Sequence, residues 1–432
     1  MPSFKSRISG AVASMPGIRG AYHYAWAWLG SVRHGHPGRG LIVIGVTGTK
    51  GKTTTLELLN AMLEAGGERT ALLSSLRVKV GDETRKNRTG NSMPGRGFIQ
   101  KFFSGARRAG CRYALVEVTS QGVALHRHRF IEWDFATLTN LAPEHIDWHG
   151  SYENYRAAKL EFLLYVARRG GRVFLNRDDK EYDFYREALE RASRGGGAVM
   201  KEGSVSYSRL DEGAVRSFER TDGPQEFVLS DFNKENAAAA IALAKACGIK
   251  EEAIDRALAE FRGVPGRMEF VRRGAFTAVV DYAHTPESLE AAYRAARPVP
   301  DALHEHPRLI CVLSSAGGGR DRWKRPAMGE IATRYCDEIF VTNEDPYDED
   351  PRAIMREIVA GMDGARKVPV HVVDDRREAI RAAVAGMREG DVVIGTGKGS
   401  EESIHGANGT SVPWNESAVF EEELARRAGR AN

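Results

Sequence analysis

Ten residues near the start of the chain have the composition of a phosphate-binding loop. Residues 45–54 read Gly-Val-Thr-Gly-Thr-Lys-Gly-Lys-Thr-Thr. A glycine-rich turn that leads into a helix directs several backbone N–H groups to one place, where an anion is stabilised. In such a loop Lys52 reaches the β- and γ-phosphates of a nucleotide, and the Thr53 hydroxyl binds Mg²⁺. The strict P-loop spacing has glycine at position 46, where this chain has Val46.

The neighbouring residues predict the elements that hold this loop. The apolar run 41–44 predicts a buried strand before it, and the pattern of residues 56–63 predicts a helix after it. Short β-branched runs continue to alternate with helical patterns, which is typical of buried parallel strands. Strands are predicted at 41–46, 113–118, 135–141, 172–176, 276–282, 308–314, 338–343, 369–373 and 391–396.

This alternation predicts an α/β protein with two doubly wound units. We expect a central P-loop ATPase domain at 41–264 and a Rossmann-like C-terminal domain at 265–432, with a hinge at Gly263-Val-Pro-Gly266. The less regular stretch 200–230 is expected to hold small antiparallel strands. An alanine-rich helix is predicted from Asn236 to Ala246.

Residues 1–40 differ in composition from the rest of the chain. They carry five lysine and arginine residues, no acidic residue, and an aromatic cluster at 22–28. We expect a short, basic, amphipathic helical segment that ends at 36–38. Such a segment suits contact with a diphosphate, a membrane surface or a partner protein. The alternative is that it packs on the central domain and covers apolar surface.

The bulk composition indicates a soluble globular protein, with 42% hydrophobic and 28% charged residues among 432. No apolar run approaches the length of a transmembrane helix, and no signal peptide is expected. The net charge of +4 makes no case for nucleic acid binding. The four cysteines are scattered, which argues against a zinc site and a disulfide framework and favours a reducing cytoplasm.

The loop Thr47–Thr54 resembles the ATP loop of the Mur ligases, which build peptidoglycan stem peptides. Further blocks in the family order extend the resemblance to about residue 400. It implies an ATP-dependent, ADP-forming ligase. A carboxylate of the acceptor attacks the γ-phosphate of ATP, and an amine then displaces phosphate from the acyl phosphate to form an amide. ATP and two Mg²⁺ ions are the implied cofactors.

Four residues are implied to be catalytic: Lys52, Glu117, His145 and Lys159. Glu117 ends a predicted strand, where a carboxylate faces the ligand crevice and can bind Mg²⁺. His145 matches a second metal ligand, although the preceding Glu144 replaces the usual aspartate. Lys159 matches a lysine that is carbamylated in many Mur ligases and supports a second Mg²⁺. Considered without the family, His145 and the histidine four residues later form an alternative zinc pair.

The resemblance also assigns the binding residues. For metal they are Thr53, Glu117, His145 and Lys159. For ATP they are Gly48, Thr49, Lys50, Gly51, Lys52, Thr53 and Thr54 of the loop, Asn233 and Asn236 of a Phe-Asn-x-x-Asn segment that contacts adenine, and Arg267, Asp281 and His284 of the C-terminal domain. For the acceptor they are Asn91, Ser92, Ser120 and Arg127. For the incoming amino acid they are Arg320, Glu344, Asp345, Tyr347, Gly397 and Glu401.

Residues 281–286 and 397–401 most resemble the ligases that add meso-diaminopimelate or L-lysine to UDP-N-acetylmuramoyl-L-alanyl-D-glutamate. Diaminopimelate enzymes usually have Asp-Asn-Pro-Arg where residues 344–347 read Glu-Asp-Pro-Tyr. We therefore expect lysine or another basic diamino acid, unless Arg320, Arg322 or Arg377 replaces the missing arginine. The usual N-terminal UDP-binding domain is expected to be reduced to residues 1–40, which leaves room for a lipid-linked acceptor. A further departure is Gln121, where the family usually has histidine.

Two alternatives stay open. Folylpolyglutamate synthases share the loop and the reaction but act on a pteridine acceptor. A non-catalytic, nucleotide-dependent scaffold would keep the fold, but Lys52, Glu117, His145 and Lys159 together argue against it. We expect a cytoplasmic enzyme that takes a muropeptide acceptor and a free amino acid, and that binds no nucleic acid.

Overall fold

The structure is a computed structural model that describes residues 16–95, 97–194, 204–211, 230–273, 275–300, 306–319, 322–362 and 367–431. The chain divides into two compact units. The first comprises residues 1–143 and 149–261, and the second comprises residues 144–148 and 262–432.

Helices and strands alternate along both units. The first half of the chain contains α1 (Pro16–Arg33), β1 (Ile42–Thr47), α2 (Lys52–Ala65), β2 (Thr70–Leu73), β3 (Arg77–Val80), β4 (Glu83–Lys86), α3 (Phe98–Arg108), β5 (Tyr113–Glu117), α4 (Ser120–Ala124), β6 (Phe135–Leu138), α5 (Ile146–His149), α6 (Tyr152–Ala167), β7 (Arg172–Asn176), α7 (Tyr182–Arg194), β8 (Val205–Tyr207), α8 (Asp231–Ala246) and α9 (Glu251–Glu260). The second half contains β9 (Glu269–Arg273), β10 (Phe276–Asp281), α10 (Pro286–Ala296), β11 (Leu309–Leu313), α11 (Lys324–Tyr335), β12 (Glu338–Thr342), α12 (Pro351–Val359), β13 (Val370–Val373), α13 (Arg376–Ala385), β14 (Val392–Thr396), β15 (Ser403–His405), a 3₁₀ turn (Ala407–Gly409), β16 (Ser411–Pro413) and α14 (Glu416–Ala431).

The first unit is built on an eight-stranded sheet with the order β4-β3-β2-β5-β1-β6-β7-β8. Strands β2, β5, β1, β6, β7 and β8 are parallel to one another. Strand β3 is antiparallel to β2, and β4 is antiparallel to β3. Both faces of β1 are buried: Val43 belongs to the cluster that contains Phe162, and Ile44 belongs to the cluster that contains Leu59. Burial on both faces explains the continuous apolar run. It also fixes the edge at which β1 and β5 end, where Val46 lies opposite Glu117.

The strands predicted for this unit are present, with two differences. Strand β8 pairs in parallel with β7, so the expectation of antiparallel strands is wrong for residues 205–207. The other residues of that stretch, 200–203 and 212–229, lie outside the described residues. Helix α8 begins at Asp231, before the predicted Asn236. Strands β2 to β4 were not predicted, because each has only four residues and β4 is largely exposed and polar.

The second unit contains a six-stranded sheet with the order β13-β12-β11-β14-β10-β9. Five strands are parallel, as predicted for a doubly wound unit, and the edge strand β9 is antiparallel to β10. Cys311 in β11 and Cys336 after α11 form a disulfide, with the two Cα atoms 6.0 Å apart. The expectation of no disulfide was therefore wrong. The cysteines are distant in sequence, but α11 returns the chain to β12, which lies beside β11.

Helix α1 confirms the predicted helix in the N-terminal segment, and it packs on the first unit. The Tyr24 ring lies 5.0 Å from the Phe130 ring, and Ser31 Oγ donates to the Phe130 carbonyl at 3.3 Å. Arg39 forms an exposed ion pair with Glu132. Within the described part of the chain, no helix combines the length and apolar character needed to cross a bilayer.

His128 makes the first unit sensitive to acid. Its ring is fully buried against Tyr165, with ring centroids 4.9 Å apart. Burial, reinforced by the positive charge of Arg129, lowers the pKa of His128 from 6.5 to about 3. Unfolding returns this pKa to its ordinary value, so the unfolded state binds more protons below pH 6.5. Stability therefore falls as the pH falls below 6.5, at a rate of about 1.4 kcal/mol per pH unit.

We expect His128→Phe to remove this part of the pH dependence. Between pH 7 and pH 5 the wild-type protein should lose about 2 kcal/mol more of its unfolding free energy than the variant does. Urea unfolding of both proteins at the two pH values measures the difference. Parallel losses in the two proteins would show that His128 is not the sensitive group.

Candidate active site

The loop between β1 and α2 requires glycine at two positions. Gly48 and Gly51 have φ values of +149° and +82°. A Cβ at Gly48 would overlap Thr139 Oγ1, and one at Gly51 would overlap Asn236 Oδ1. Gly51 is also the N-cap of α2 and provides no side-chain cap. The first N–H groups of α2 are therefore not capped by a side chain, which suits an anion at this helix end.

The segment after β6 holds this loop in place. Thr139 Oγ1 donates to the Lys50 carbonyl at 2.6 Å, and Asn140 Oδ1 accepts from Lys50 N at 2.9 Å. The Thr49 hydroxyl lies 2.9 Å from the Tyr155 hydroxyl of α6. These hydrogen bonds explain why Thr-Asn after the strand is useful, since the pair fixes both sides of the loop.

Thr53 and Glu117, the two predicted metal ligands at the ends of neighbouring elements, are in direct contact. Thr53 Oγ1 donates to Glu117 Oε2 at 3.0 Å, and Ser75 N donates to the same oxygen at 2.9 Å. Glu117 is almost fully buried. A carboxylate and a hydroxyl oxygen at one point suit a hard cation such as Mg²⁺. Ser75 was missed by sequence reasoning, because it follows the short strand β2.

Two lysines converge on one carbonyl of the loop. Lys52 Nζ donates to the carbonyls of Gly48 and Thr49 at 3.0 and 2.8 Å. Lys159 Nζ donates to the Gly48 carbonyl at 2.8 Å, and it lies 4.6 Å from the centre of the Tyr155 ring. Lys159 is 1% exposed, although its sequence suggests a solvated helix residue. The Lys52 ammonium beside the uncapped helix N–H groups favours a multiply charged anion.

Of the two predicted adenine-binding residues, Asn236 lies against the same loop, beside Gly51. Asn233 and Asn236 are both buried in the first turns of α8. Among the described residues, no hydrogen-bond partner exists for Asn233 Nδ2. A buried donor without a partner is costly, and an acceptor atom of a purine base would satisfy it. The loop, the oxygen pair and this donor together fit a bound Mg²⁺–nucleotide.

Two of the predicted acceptor residues, Asn91 and Arg127, meet at Met93. Arg127 Nη1 donates to the Met93 carbonyl at 2.6 Å, and Asn91 Oδ1 accepts from Met93 N at 2.9 Å. Ser92 lies between Asn91 and Met93 in the chain. Ser120 Oγ, at the start of α4, lies 3.0 Å from His149 Nε2.

The zinc alternative gains no support from this geometry. The only described cluster of three or more metal-ligand groups contains carboxylates and no histidine. His149 is instead hydrogen-bonded to Ser120. His145 has a half-exposed side chain, with its Nε2 atom 4.0 Å from Glu144 Oε2.

The residues assigned to ATP in the second unit form a turn after β10. Both carboxylate oxygens of Asp281 accept backbone N–H groups, from Met268 at 2.8 Å and Ala283 at 2.7 Å. His284 Nε2 lies 3.1 Å from Glu144 Oε1.

Arg267 precedes this turn and extends its side chain along a neighbouring ring. The Arg267 guanidinium lies 4.1 Å from the centre of the Tyr282 ring. A planar cation held over an aromatic face presents its outer N–H groups in a fixed direction. This geometry suits contact with a phosphate.

The residues assigned to the incoming amino acid form an acidic cluster. Glu344, Asp345 and Glu401 each place an oxygen within 4.8 Å of the others. Lys398 Nζ donates to Asp345 Oδ1 at 2.9 Å and to Glu401 Oε2 at 2.7 Å. Burial raises the pKa of Glu344. Gly397 has a φ of +101°, and a Cβ there would overlap Glu344.

Tyr347 takes a conformation that is unusual for a tyrosine. Its φ is +50°, and its ring stacks on that of His405 with centroids 5.6 Å apart and an interplanar angle of 7°. Tyr347 N donates to the His405 carbonyl at 3.2 Å. A non-glycine residue held at positive φ is typical of a functional site. His405 was not predicted from sequence.

No predicted substitute for the missing arginine lies here among the described residues. Arg322 pairs with Glu357, and Arg377 pairs with the exposed Glu422. Arg320 lies outside the described residues.

The arginine that does lie beside Glu344 is Arg376, which no local sequence pattern marks. Its Nη1 atom donates to Ser314 Oγ at 2.8 Å, and Ser314 Oγ donates to Glu344 Oε2 at 2.8 Å. Arg376 is buried and already paired with Glu416 at 2.5 Å. The Arg376 guanidinium therefore stabilises the site through these contacts, and its charge is already neutralised by Glu416.

Comparison with known proteins decides the family. The Mur ligase middle domain matches residues 46–244, and the Mur ligase glutamate ligase domain matches residues 266–399. The chain belongs to the Mur ligase family. The Mur ligase chain is 37% identical to the UDP-N-acetylmuramyl-tripeptide synthetase of Roseiflexus sp. (strain RS-1), over 98% of this chain and 86% of that protein. It is 38% identical to the UDP-N-acetylmuramoyl-L-alanyl-D-glutamate–2,6-diaminopimelate ligase of Syntrophomonas wolfei, over 87% and 77%.

The Mur ligase fold is shared with solved structures of another ligase class. A folylpolyglutamate synthase of Mycobacterium tuberculosis, solved with ADP and AMPPCP, matches with a TM-score of 0.65 at 17% identity, over 90% of this chain and 95% of that one. This likeness shows the fold alone. The sequence-based interpretations of fold class, family and ATP-dependent ligase activity are confirmed by the family matches and the full-length relatives.

Proposed function

We propose that this Mur ligase adds a diamino acid to a muramoyl-dipeptide acceptor through an acyl phosphate, with ATP and Mg²⁺. The observation that carries the proposal is the contact between Thr53 and Glu117 beside Lys52, which donates to the Gly48 carbonyl. This arrangement supports a cation site next to a polyphosphate site at the end of the sheet. The two curated relatives, named for ligation to muramoyl peptides, support the choice of acceptor.

Each side chain has a distinct role in this proposal. Lys52 leaves the loop carbonyls and neutralises the phosphates as the negative charge shifts during transfer. Glu117 and Thr53 hold Mg²⁺, which neutralises charge on the phosphates. Arg127 binds the acceptor together with Asn91, Ser92 and Ser120, so that its carboxylate is positioned for attack.

The remaining roles follow the same order of chemistry. Asn233 and Asn236 bind the adenine ring, and Arg267, Asp281 and His284 form the second unit's contribution to ATP. A carbamylated Lys159 would supply an oxygen ligand for a second Mg²⁺, and the family resemblance assigns His145 as a further metal ligand. The acidic cluster of Glu344, Asp345 and Glu401 binds the incoming amino acid, and the enzyme acts in the cytoplasm.

A folylpolyglutamate-synthase-like activity is the alternative. Its support is a likeness of fold at 17% identity, whereas the muramoyl-peptide ligases match at 37% and 38% identity. The identity over most of the chain therefore favours the muropeptide acceptor.

The test supplies the purified enzyme with ATP, Mg²⁺, a mixture of amino acids and one acceptor at a time. We expect ADP release and a product heavier by one amino acid residue with UDP-N-acetylmuramoyl-L-alanyl-D-glutamate. Tetrahydrofolate should give neither product nor ADP above background. Product with the folate acceptor alone would replace the proposal by its alternative.

We expect L-lysine to be preferred to meso-diaminopimelate by at least about tenfold in kcat/KM. The cluster of Glu344, Asp345 and Glu401 suits a side-chain ammonium. Arg322 and Arg377 are paired with other glutamates, so neither is placed to bind a second carboxylate of the amino acid. Competition between the two amino acids, resolved by product mass, measures the preference.

Tyr347→Arg supplies the matched variant. It places an arginine where diaminopimelate ligases usually have one, and we expect it to move the preference toward meso-diaminopimelate. A wild-type preference for meso-diaminopimelate would contradict this assignment.

A further inference from the structure

One face of helix α1 packs against the rest of the first unit. Tyr24 packs against His126 and Phe130, with ring centroids 5.8 and 5.0 Å away. At Gly30 the helix touches the backbone of the unit, since a Cβ there would lie 2.9 Å from Gly97 Cα. The orientation of the helix is therefore fixed, and its opposite face points away from the unit.

The opposite face is apolar. Ala21, Ala25, Trp28, Leu29 and Val32 follow the spacing of a single helical stripe, and all five are exposed. The side chains at 28, 29 and 32 are 51%, 46% and 46% exposed. Among the described residues, 11 large hydrophobic side chains are exposed, and three of them lie together on this stripe. Such clustering is typical of an interaction surface, unlike hydrophobic residues scattered singly.

The charges around this stripe indicate which kind of partner binds it. Residues 1–56 contain no acidic residue, and residues 1–40 contain Lys5, Arg7, Arg19, Arg33 and Arg39. A second copy of the helix would bring like charges together. Residues 1–15, the part of the chain before the helix, are also cationic. An anionic lipid surface complements the charge, and tryptophan and tyrosine favour the boundary between head groups and acyl chains.

We propose that the outer face of α1, defined by Trp28, Leu29 and Val32, docks the enzyme on an anionic membrane surface. The helix lies in the plane of the interface with its stripe in the lipid and Arg33 among the head groups. No part of the protein crosses the bilayer in this arrangement.

Docking has a consequence for the acceptor. On its inner side α1 contributes His23 to a small pocket that is also lined by Gly97, Gln100 and Arg127. If Arg127 binds the acceptor, as the proposed function holds, the acceptor site then lies beside the membrane. This consequence rests on the proposed function, whereas docking itself does not.

The experiment measures sedimentation of the full chain with sucrose-loaded vesicles. One set contains phosphatidylcholine alone, and the other contains about one-third phosphatidylglycerol. We expect the wild-type protein to bind the anionic vesicles at least about tenfold more strongly, with the difference lost in high salt. The Trp28→Ser, Leu29→Ser, Val32→Ser triple variant should lose at least about tenfold of this binding.

A matched control carries Val372→Ser and Val412→Ser, two exposed valines of the second unit. It should bind vesicles as the wild type does. Circular dichroism and thermal unfolding of the triple variant should match those of the wild type, because the replaced side chains are exposed. Ligase assays without vesicles separate the two proposals, since docking predicts binding whether or not a muropeptide is the substrate.

Three results would overturn docking on lipid. Equal binding of anionic vesicles by the wild type and the triple variant would show that the stripe takes no part in lipid binding. A wild-type dimer that the triple variant dissociates would assign the stripe to a second copy. The third result comes from quenching of tryptophan fluorescence by acrylamide. If Trp28 is protected from the quencher without lipid and becomes exposed when residues 1–15 are deleted, that segment covers the stripe.

Discussion

Lys52→Ala is expected to lower kcat/KM for ligation by about 10³-fold or more, which corresponds to about 4 kcal/mol of transition-state stabilisation. Lys52 Nζ is held by the Gly48 and Thr49 carbonyls at the start of α2. From this position a side-chain rotation would bring it to the phosphates of a nucleotide bound as we propose. The measurement is the rate of ADP release with the muropeptide acceptor and a saturating amino acid.

The control for this variant is Lys101→Ala, which removes an exposed lysine of α3. It should leave the rate unchanged. Glu117→Ala should cause a loss similar to that of Lys52→Ala, because it removes the carboxylate that contacts Thr53. Both active-site variants should retain the wild-type melting profile to within a few degrees. Turnover near the wild-type rate in either one would show that the loop is not the phosphate site.

Lys159→Ala is expected to lower activity by at least about 100-fold, and short carboxylates such as acetate should restore part of the loss. Lys159 is buried and donates to the Gly48 carbonyl. A protonated lysine can only donate, whereas a carbamylated lysine is an anion that accepts hydrogen bonds and binds metal. Rescue by a carboxylate therefore distinguishes a lost anion from a lost donor.

Carbon-13 NMR with labelled bicarbonate gives an independent measurement. The wild-type enzyme should show a carbamate signal that Lys159→Ala lacks, and Lys159→Arg should be inactive despite keeping a donor. Rescue by methylamine, without a carbamate signal, would assign Lys159 a donor role. Activity that survives Lys159→Ala without additives would exclude both roles.

The local features of this site could be predicted from the sequence because they follow strand ends. The loop after β1 and Glu117 at the end of β5 were predictable, since parallel strands bring their carboxyl ends to one edge. The approach of Asn236 to that loop depends on a helix about 180 residues away, and only the family resemblance pointed to it. The roles of Asn233 and Asn236 remain predictions, although the structure places Asn236 beside the loop.

The unpredicted features depend on pairings between distant residues. Arg376 and Glu416 form a buried ion pair across helices α13 and α14, and neither residue has a local pattern that marks it. Lys159 appeared solvent-exposed because its helix contains both charged and apolar residues on several faces. The Cys311–Cys336 disulfide depends on the return of a helix to a neighbouring strand. Sequence periodicity describes one element at a time, so these pairings were beyond it.

The close approach of Asn236 to Gly51 makes recognition of the base and recognition of the phosphates interdependent. The space beside Gly51 is so narrow that a Cβ there would overlap Asn236. Any shift of the phosphate loop must therefore displace the asparagine, and any shift of the asparagine must disturb the loop. A nucleotide that occupies both positions gains from each contact because it steadies the other. Free adenosine and bare triphosphate each lack this mutual support, so we expect the enzyme to distinguish an intact nucleotide from its fragments by more than the sum of their separate affinities.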